Sequence, residues 1–253
     1  MGIRNKIPTS FAIHAAVPSR QMRRIYDASF EVPEGWVNQF LYMAHLYDRI
    51  QGVDGDIVEC GLGEGTTFSM LAFFSGSENH RPVRRLYGFD SFEGFPAPDS
   101  LDCSPRKPQE GEWGPEDRGV TEESVRRRLA DSGISDEFPE LDIRIVKGFL
   151  RDSLSDFPRD RPIAFCHLDV DLYEGYRDAL RHLFPRVAPG GVIAFDEYRE
   201  FHPELSQYRD ERGVFIEKWP GCTKAVDDYF ADLEEVLRYH GPTRKYYIVK
   251  GSI

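Results

Sequence analysis

The sequence predicts an α/β fold on a mostly parallel sheet with helices on both faces, and three observations carry that prediction. Short β-rich runs alternate with helical patterns through the middle of the chain, and strands joined by helical crossovers pair in parallel beneath two helical layers. The apolar run Asp56-Ile57-Val58-Glu59-Cys60 closes near an acid and leads into Gly61-Leu62-Gly63-Glu64-Gly65. Such a strand end lets bare backbone approach a nucleotide-sized ligand. The carboxyl end, residues 236–240 and 245–250 around Gly241-Pro242, reads as a hairpin that adds antiparallel strands at one edge.

The elements follow in chain order. Residues 1–35 carry Pro8, Pro18 and Pro33 in a stretch of mixed polarity and read as an irregular N-terminal arm, a lid or an oligomer contact that favours a homo-oligomer. Residues 36–253 read as one domain. From Trp36, the apolar residues Phe40, Met43, Tyr47 and Ile50 recur at spacings of three and four, which predicts a helix with one buried face. Strands are expected at 56–61, 85–91, 143–148, 163–170 and 191–198, and helices at about 66–75, 121–132 and 174–187. Two connections, 93–119 with five prolines and the charged segment 199–221, exceed simple turns. Both leave strand carboxyl ends, so they read as functional covers of a ligand crevice.

Composition narrows the function classes. Lys and Arg number 32 against 43 Asp and Glu, a formal net charge of -11 over 253 residues, which argues against a nucleic-acid surface. The longest basic run, Arg126-Arg127-Arg128, falls on the helix opening at Thr121-Glu122-Glu123 and reads as its solvated face. Cys60, Cys103, Cys166 and Cys222 lack paired spacing, as reduced thiols of a cytoplasmic protein do. No signal segment, myristoylation pattern or membrane-length apolar run is present, so no membrane partner is expected.

Chemistry concentrates at the strand ends. The loop Gly61-x-Gly63-x-Gly65 carries Thr66 where a dinucleotide fingerprint needs its last glycine, so a nucleotide-binding oxidoreductase is disfavoured, while purely structural glycines stay open. The next strand ends Gly88-Phe89-Asp90-Ser91-Phe92. There Asp90 is placed to accept from two ribose hydroxyls, with Phe92 against an adenine face, unless Asp90 only caps its loop. Glu59 and Asp90 together favour an adenosine ligand.

The fourth and fifth strand ends read His167-Leu168-Asp169-Val170-Asp171 and Phe195-Asp196-Glu197. On neighbouring strands, Asp169, Asp196 and Glu197 converge, and crowded carboxylates call for a hard divalent cation such as Mg²⁺; simple capping is the alternative. Asp171 is ambiguous, set apart from Asp169 unless the strand has ended before it, and His167 reads as a residue of the core or one that backs the ligands, rather than as a ligand. His14 and His202 read as surface residues, with His202 a candidate substrate contact. Asp169, beside the cation, is a candidate to accept a hydroxyl proton.

These residues resemble the macrocin O-methyltransferase family of metal-dependent S-adenosylmethionine enzymes that methylate sugar hydroxyls in bacterial natural-product pathways. The resemblance rests on Val58-Glu59-Cys60-Gly61-x-Gly63-x-Gly65, Gly88-Phe89-Asp90-Ser91-Phe92-Glu93-Gly94, Lys147-Gly148-Phe149 with Asp152, Leu168-Asp169-x-Asp171-Leu172-Tyr173 and Gly221-Cys222-x-Lys224-Ala225-Val226. It implies a class I methyltransferase (Rossmann-like) fold with a seven-stranded sheet. It also implies S-adenosylmethionine held by Glu59, Gly61, Gly63, Thr66, Asp90, Ser91, Phe92, Gly148 and Phe149, and Mg²⁺ held by Asp169, Asp196 and Glu197. The family commonly shows Asp-Asp where this chain has Asp196-Glu197. The implied acceptor is a deoxysugar, on a finished glycoside or linked to a nucleotide. A linking diphosphate would draw on Arg106, Lys107, Arg118 and Arg199 of the long loops. A catechol-type O-methyltransferase, acting on an aromatic diol with the same metal logic, is the rival enzyme.

Overall fold

The strands are β1 (Asp56–Cys60), β2 (Leu86–Asp90), β3 (Ile143–Lys147), β4 (Ile163–Leu168), β5 (Val187–Phe195), β6 (Leu237–His240) and β7 (Lys245–Val249). They form one seven-stranded sheet in the order β3-β2-β1-β4-β5-β7-β6. β1 pairs in parallel with both β2 and β4, and β4 with β5, whereas β7 returns antiparallel between β5 and β6. The strand order reverses at β1 and β4, and in open α/β sheets a crevice forms at that point, outside the strands' carboxyl ends.

The computed structural model describes residues 34–78, 83–200, 217–233, 235 and 237–251. The chain divides into compact units Met1–Val37 and Asn38–Ile253. Most of the predicted arm, with His14, and residues 201–216, with His202 and Tyr208, lie outside the described residues.

The longer helices are α1 (Glu34–Arg49), α2 (Thr66–Ser77), α3 (Glu122–Asp131), α4 (Tyr173–Leu183) and α5 (Pro220–Phe230). Successive side chains of a strand face opposite sides, so the sheet feeds two cores. Val58, Cys60, Phe89, Cys166 and Leu168 pack with Tyr176 and Leu180 of α4 and Val226 of α5. Ile57, Leu86, Phe165 and Val192 pack with Met43 of α1, Phe68 of α2 and Val125 of α3. Burying one such large side chain is worth ~1.5–3 kcal/mol. All four cysteines are free, and only Cys103 is exposed.

The structure corrects the sequence expectations at several points. Met43, Tyr47 and Ile50, just past the end of α1, are buried as expected, but Phe40 is 48% exposed, and Tyr42 and Leu46 complete the buried face in its place. The helical pattern expected to reach Val187 ends at Leu183, and Val187 already pairs with Ile163 as the start of β5. Pro185 explains the early stop, because its ring and missing N–H are incompatible with a helix interior. Helix α5 was not expected at all; Pro220 sits in its first turn, where a preset φ helps and no donor is missed. The basic run on α3 behaves as read: Thr121 caps the helix, Arg126 and Arg127 pair with Glu122 and Glu123, and Arg128 reaches Glu64.

Candidate functional site

The carboxyl ends of β1, β2, β4 and β5 open into one cavity of about 500 Å³. Its first wall is the glycine loop. Gly61 and Gly63 have φ of 82° and 49°, conformations that cost glycine little. Asp90, ending β2, organises this wall. Its Oδ2 accepts from the backbone N–H of Leu62 at 2.8 Å and Gly63 at 3.0 Å, and its Oδ1 from Phe92 N–H at 2.7 Å. Burial raises the Asp90 pKa, and the three N–H donors oppose the rise.

Of the residues expected around a methyl donor, Gly61, Gly63, Thr66, Asp90, Ser91, Phe92, Gly148 and Phe149 all line the cavity. Glu59 does not. It is 1% exposed, and its Oε1 lies 2.9 Å from Nδ1 of His167, one strand away in β4. The correction follows from register: Glu59 and His167 are paired neighbours on β1 and β4, so the two side chains share one face of the sheet. Burial pushes Glu59 up to about 7. For His167 burial works toward neutrality, but the Asp196 and Glu59 carboxylates, as acceptors facing its ring nitrogens, outweigh it and lift the imidazole to about 10.

The opposite wall is acidic. Asp169, Asp171, Asp196 and Glu197 all line the cavity. Carboxylate oxygens of Asp169, Asp171 and Glu197 lie within 4.8 Å of one another, and the same holds for a ring nitrogen of His167 with oxygens of Asp169 and Asp196, so Asp196 and Glu197 fall in two groups that share Asp169. Setting Asp171 apart from Asp169 is therefore corrected: side chains two positions apart share one side of a strand, and although β4 has ended at Leu168 and Asp171 takes a left-handed backbone, φ 57°, its carboxylate stands with that of Asp169. His167, expected in the core or behind the ligands, is fully buried between Glu59 and Asp196, with Nε2 3.5 Å from Asp196 Oδ1.

The acids differ in charge state. Burial and mutual repulsion raise Asp169, and raise Asp171 and Glu197 well above the carboxylate range. Burial would also raise Asp196, but the Lys245 ammonium and His167 pull it below its ordinary value. Glu197, 3% exposed, accepts the phenol of Tyr176 in α4. The sequence reading missed Lys245, Tyr176 and Lys218, since none stands next to a motif acid in the chain.

The loop 93–119 is a built wall. Phe95 exchanges backbone hydrogen bonds with Gly111 and Glu112. Arg106 pairs with Glu112 and lies 4.5 Å from the ring centroid of Trp219. Asp102 accepts from Tyr173 N–H at 2.8 Å. Among the cations proposed for a diphosphate, Arg118 lines the cavity and stacks 3.9 Å from the Trp113 ring centroid. Arg106 is engaged by Glu112, and Arg199 lies 3.7 Å from Asp227; neither lines the cavity.

The chain is similar to known methyltransferases. A methyltransferase of Streptomyces olivaceus, 8-demethyl-8-(2,3-dimethoxy-alpha-L-rhamnosyl)-tetracenomycin-C 4'-O-methyltransferase, is 32% identical over 166 residues, 64% of this chain and 61% of that protein. Demethyldecarbamoylnovobiocin O-methyltransferase of Streptomyces niveus is 28% identical over 182 residues, 72% of this chain and 60% of that one. The chain thus spans about three-fifths of the length of these curated relatives. Among solved structures, the O-methyltransferase NovP superposes with a TM-score of 0.65 at 24% identity, covering 85% of this chain and 81% of that one. A calicheamicin methyltransferase superposes with a TM-score of 0.70 at 22% identity, covering 92% and 91%. Both share the fold. The model of the macrocin O-methyltransferase (TylF) family matches residues 43–230, the greater part of the sequence, and the chain belongs to that family.

Proposed function

We propose that the protein is an S-adenosylmethionine-dependent O-methyltransferase, assisted by a divalent cation such as Mg²⁺, whose acceptor is a sugar hydroxyl of a natural-product glycoside or nucleotide-linked sugar. The observation that carries this is one cavity walled on one side by the Asp90-organised glycine loop and on the other by four acids. The donor atoms suit a hard ion: Asp169, Asp171 and Glu197 bring three carboxylates together, and Asp169 also groups with Asp196 and His167. When bound, the ion would stabilise negative charge developing on the acceptor oxygen.

The chain's own residues supply the rest. Methyl transfer to oxygen is an in-line displacement governed by positioning. The loop 61–65 and the strand ends at Asp90 and Gly148 hold the donor side, and the wall formed by Phe95, Trp113 and Trp219 confines the acceptor. Asp169 faces the shared space and is the base for the hydroxyl proton. The relative named for a rhamnosyl-tetracenomycin 4'-O-methyltransferase supports a sugar acceptor. The same aromatic lining favours a second reading, an aromatic diol.

The test replaces Asp169 by Ala and follows methyl transfer from labelled donor to a panel of glycosides, nucleotide sugars and catechols. Loss of turnover by about 10²-fold or more, with S-adenosylhomocysteine binding retained, is expected. Near wild-type turnover would remove Asp169 from the reaction. Methylation confined to catechols would select the second reading.

A further inference from the structure

Asp196 is gripped from behind. Three donors approach the same oxygen, Oδ1: the Lys245 ammonium, Gln39 Nε2 at 3.3 Å, and His167 Nε2 at 3.5 Å. Lys245 Nζ also lies 3.2 Å from the Asp196 carbonyl oxygen. Asp196 lines the cavity, but Lys245 does not. Its side chain is 19% exposed and reaches the acid through the sheet edge. The route is set by topology: β7 lies antiparallel against β5 with Tyr246 opposite Phe195, so the first residue of β7 stands beside the residue that follows β5.

We infer that Lys245 is a built-in counter-cation of the acidic wall, a positioning residue that neutralises Asp196 before an ion binds and then opposes the ion's charge. This rests on the metal-assisted reading above. Asp196 stands beside three further acids at one edge, and Lys245 pairs with it from outside the cavity. The same charge stands close enough to an ion on Asp196 to weaken its binding, because like charges a few ångströms apart interact strongly at a partly buried site. The arrangement keeps the acids assembled and sets the ion affinity lower than the acids alone would give.

The test is the Lys245→Met variant of the full chain, treated with chelator and then titrated with Mg²⁺ alone by calorimetry and by thermal melting. The variant is expected to melt lower than wild type without the ion and to gain more from it, with a dissociation constant for Mg²⁺ lower by about tenfold or more. Lys245→Arg, which keeps the charge, is expected to follow wild type. If Lys245→Met does not fold, Lys245→Gln gives the same comparison. A wild type that binds Mg²⁺ alongside a charge-free variant that binds it equally or more weakly overturns the inference. A wild type that binds no divalent ion overturns the metal-assisted reading itself.

Discussion

Gly61 and Asp169, at the ends of adjacent strands, meet backbone to backbone: a β-carbon built on Gly61 would lie 1.7 Å from the Asp169 carbonyl oxygen. The end of β1 and the start of the acidic wall are therefore one packed unit, further tied by Asp169 N–H donating to the Cys60 carbonyl at 2.9 Å. The donor side and the acid side of the cavity cannot move independently at this seam.

Gly61→Ala is the first consequence. The added carbon collides with backbone that no rotamer change can move, at a residue whose φ is 82°. The expected cost is about 3 kcal/mol or more, read as a large drop in melting temperature or a failure to fold. Gly63→Ala, where nothing lies within 4 Å, is expected to cost only about 1 kcal/mol. Equal losses at the two positions would contradict the seam.

Asp90→Asn probes the organiser of the loop. Both carboxylate oxygens accept backbone N–H groups, and an amide turns one acceptor into a donor facing a donor. Leaving such a group unsatisfied costs ~1–3 kcal/mol, so affinity for S-adenosylhomocysteine is expected to fall about tenfold or more by calorimetry. Unchanged affinity would mean that the loop holds its shape without Asp90.

Arg106→Ala loosens the wall of loop 93–119. The guanidinium loses Glu112 and its place over the Trp219 ring, together ~1–2 kcal/mol. The expected signature is a raised KM for the acceptor with donor affinity unchanged. A change in donor affinity alone would place this loop over the wrong half of the cavity.

Stability should fall as the solution becomes alkaline. His167 holds its proton to about 10 in the folded chain, against an ordinary 6.5. Its contribution is complete below about pH 6.5 and is lost as pH rises toward 10. Glu59, raised to about 7 from 4.5, adds loss in the same direction between those values. Melting curves taken in chelator from pH 6 to 10 are expected to fall more steeply for wild type than for His167→Asn. Parallel curves would show that His167 carries no extra proton in the fold.

Much of this protein was legible in the chain because its signals are local. The run into Gly61-x-Gly63 fixes a strand end by hydrophobicity and glycine freedom. The alternation of strands and helices implies parallel pairing, and Asp90, Asp169, Asp196 and Glu197 announce themselves by closing apolar runs. Glu59 looked the same by that rule, yet only the register of β1 on β4, which sets it against His167, showed that it is buried away from the cavity. Asp171, beyond the end of β4 and with a left-handed backbone, stands with Asp169 and Glu197, a placement that the chain order left ambiguous. Lys245, 49 positions from Asp196, became its partner only because an antiparallel strand slots beside β5. Local pattern determines which residues can be charged and where a strand stops. Which charges finally face one another depends on strand pairing across distant sequence, and that was decided by the packed sheet alone.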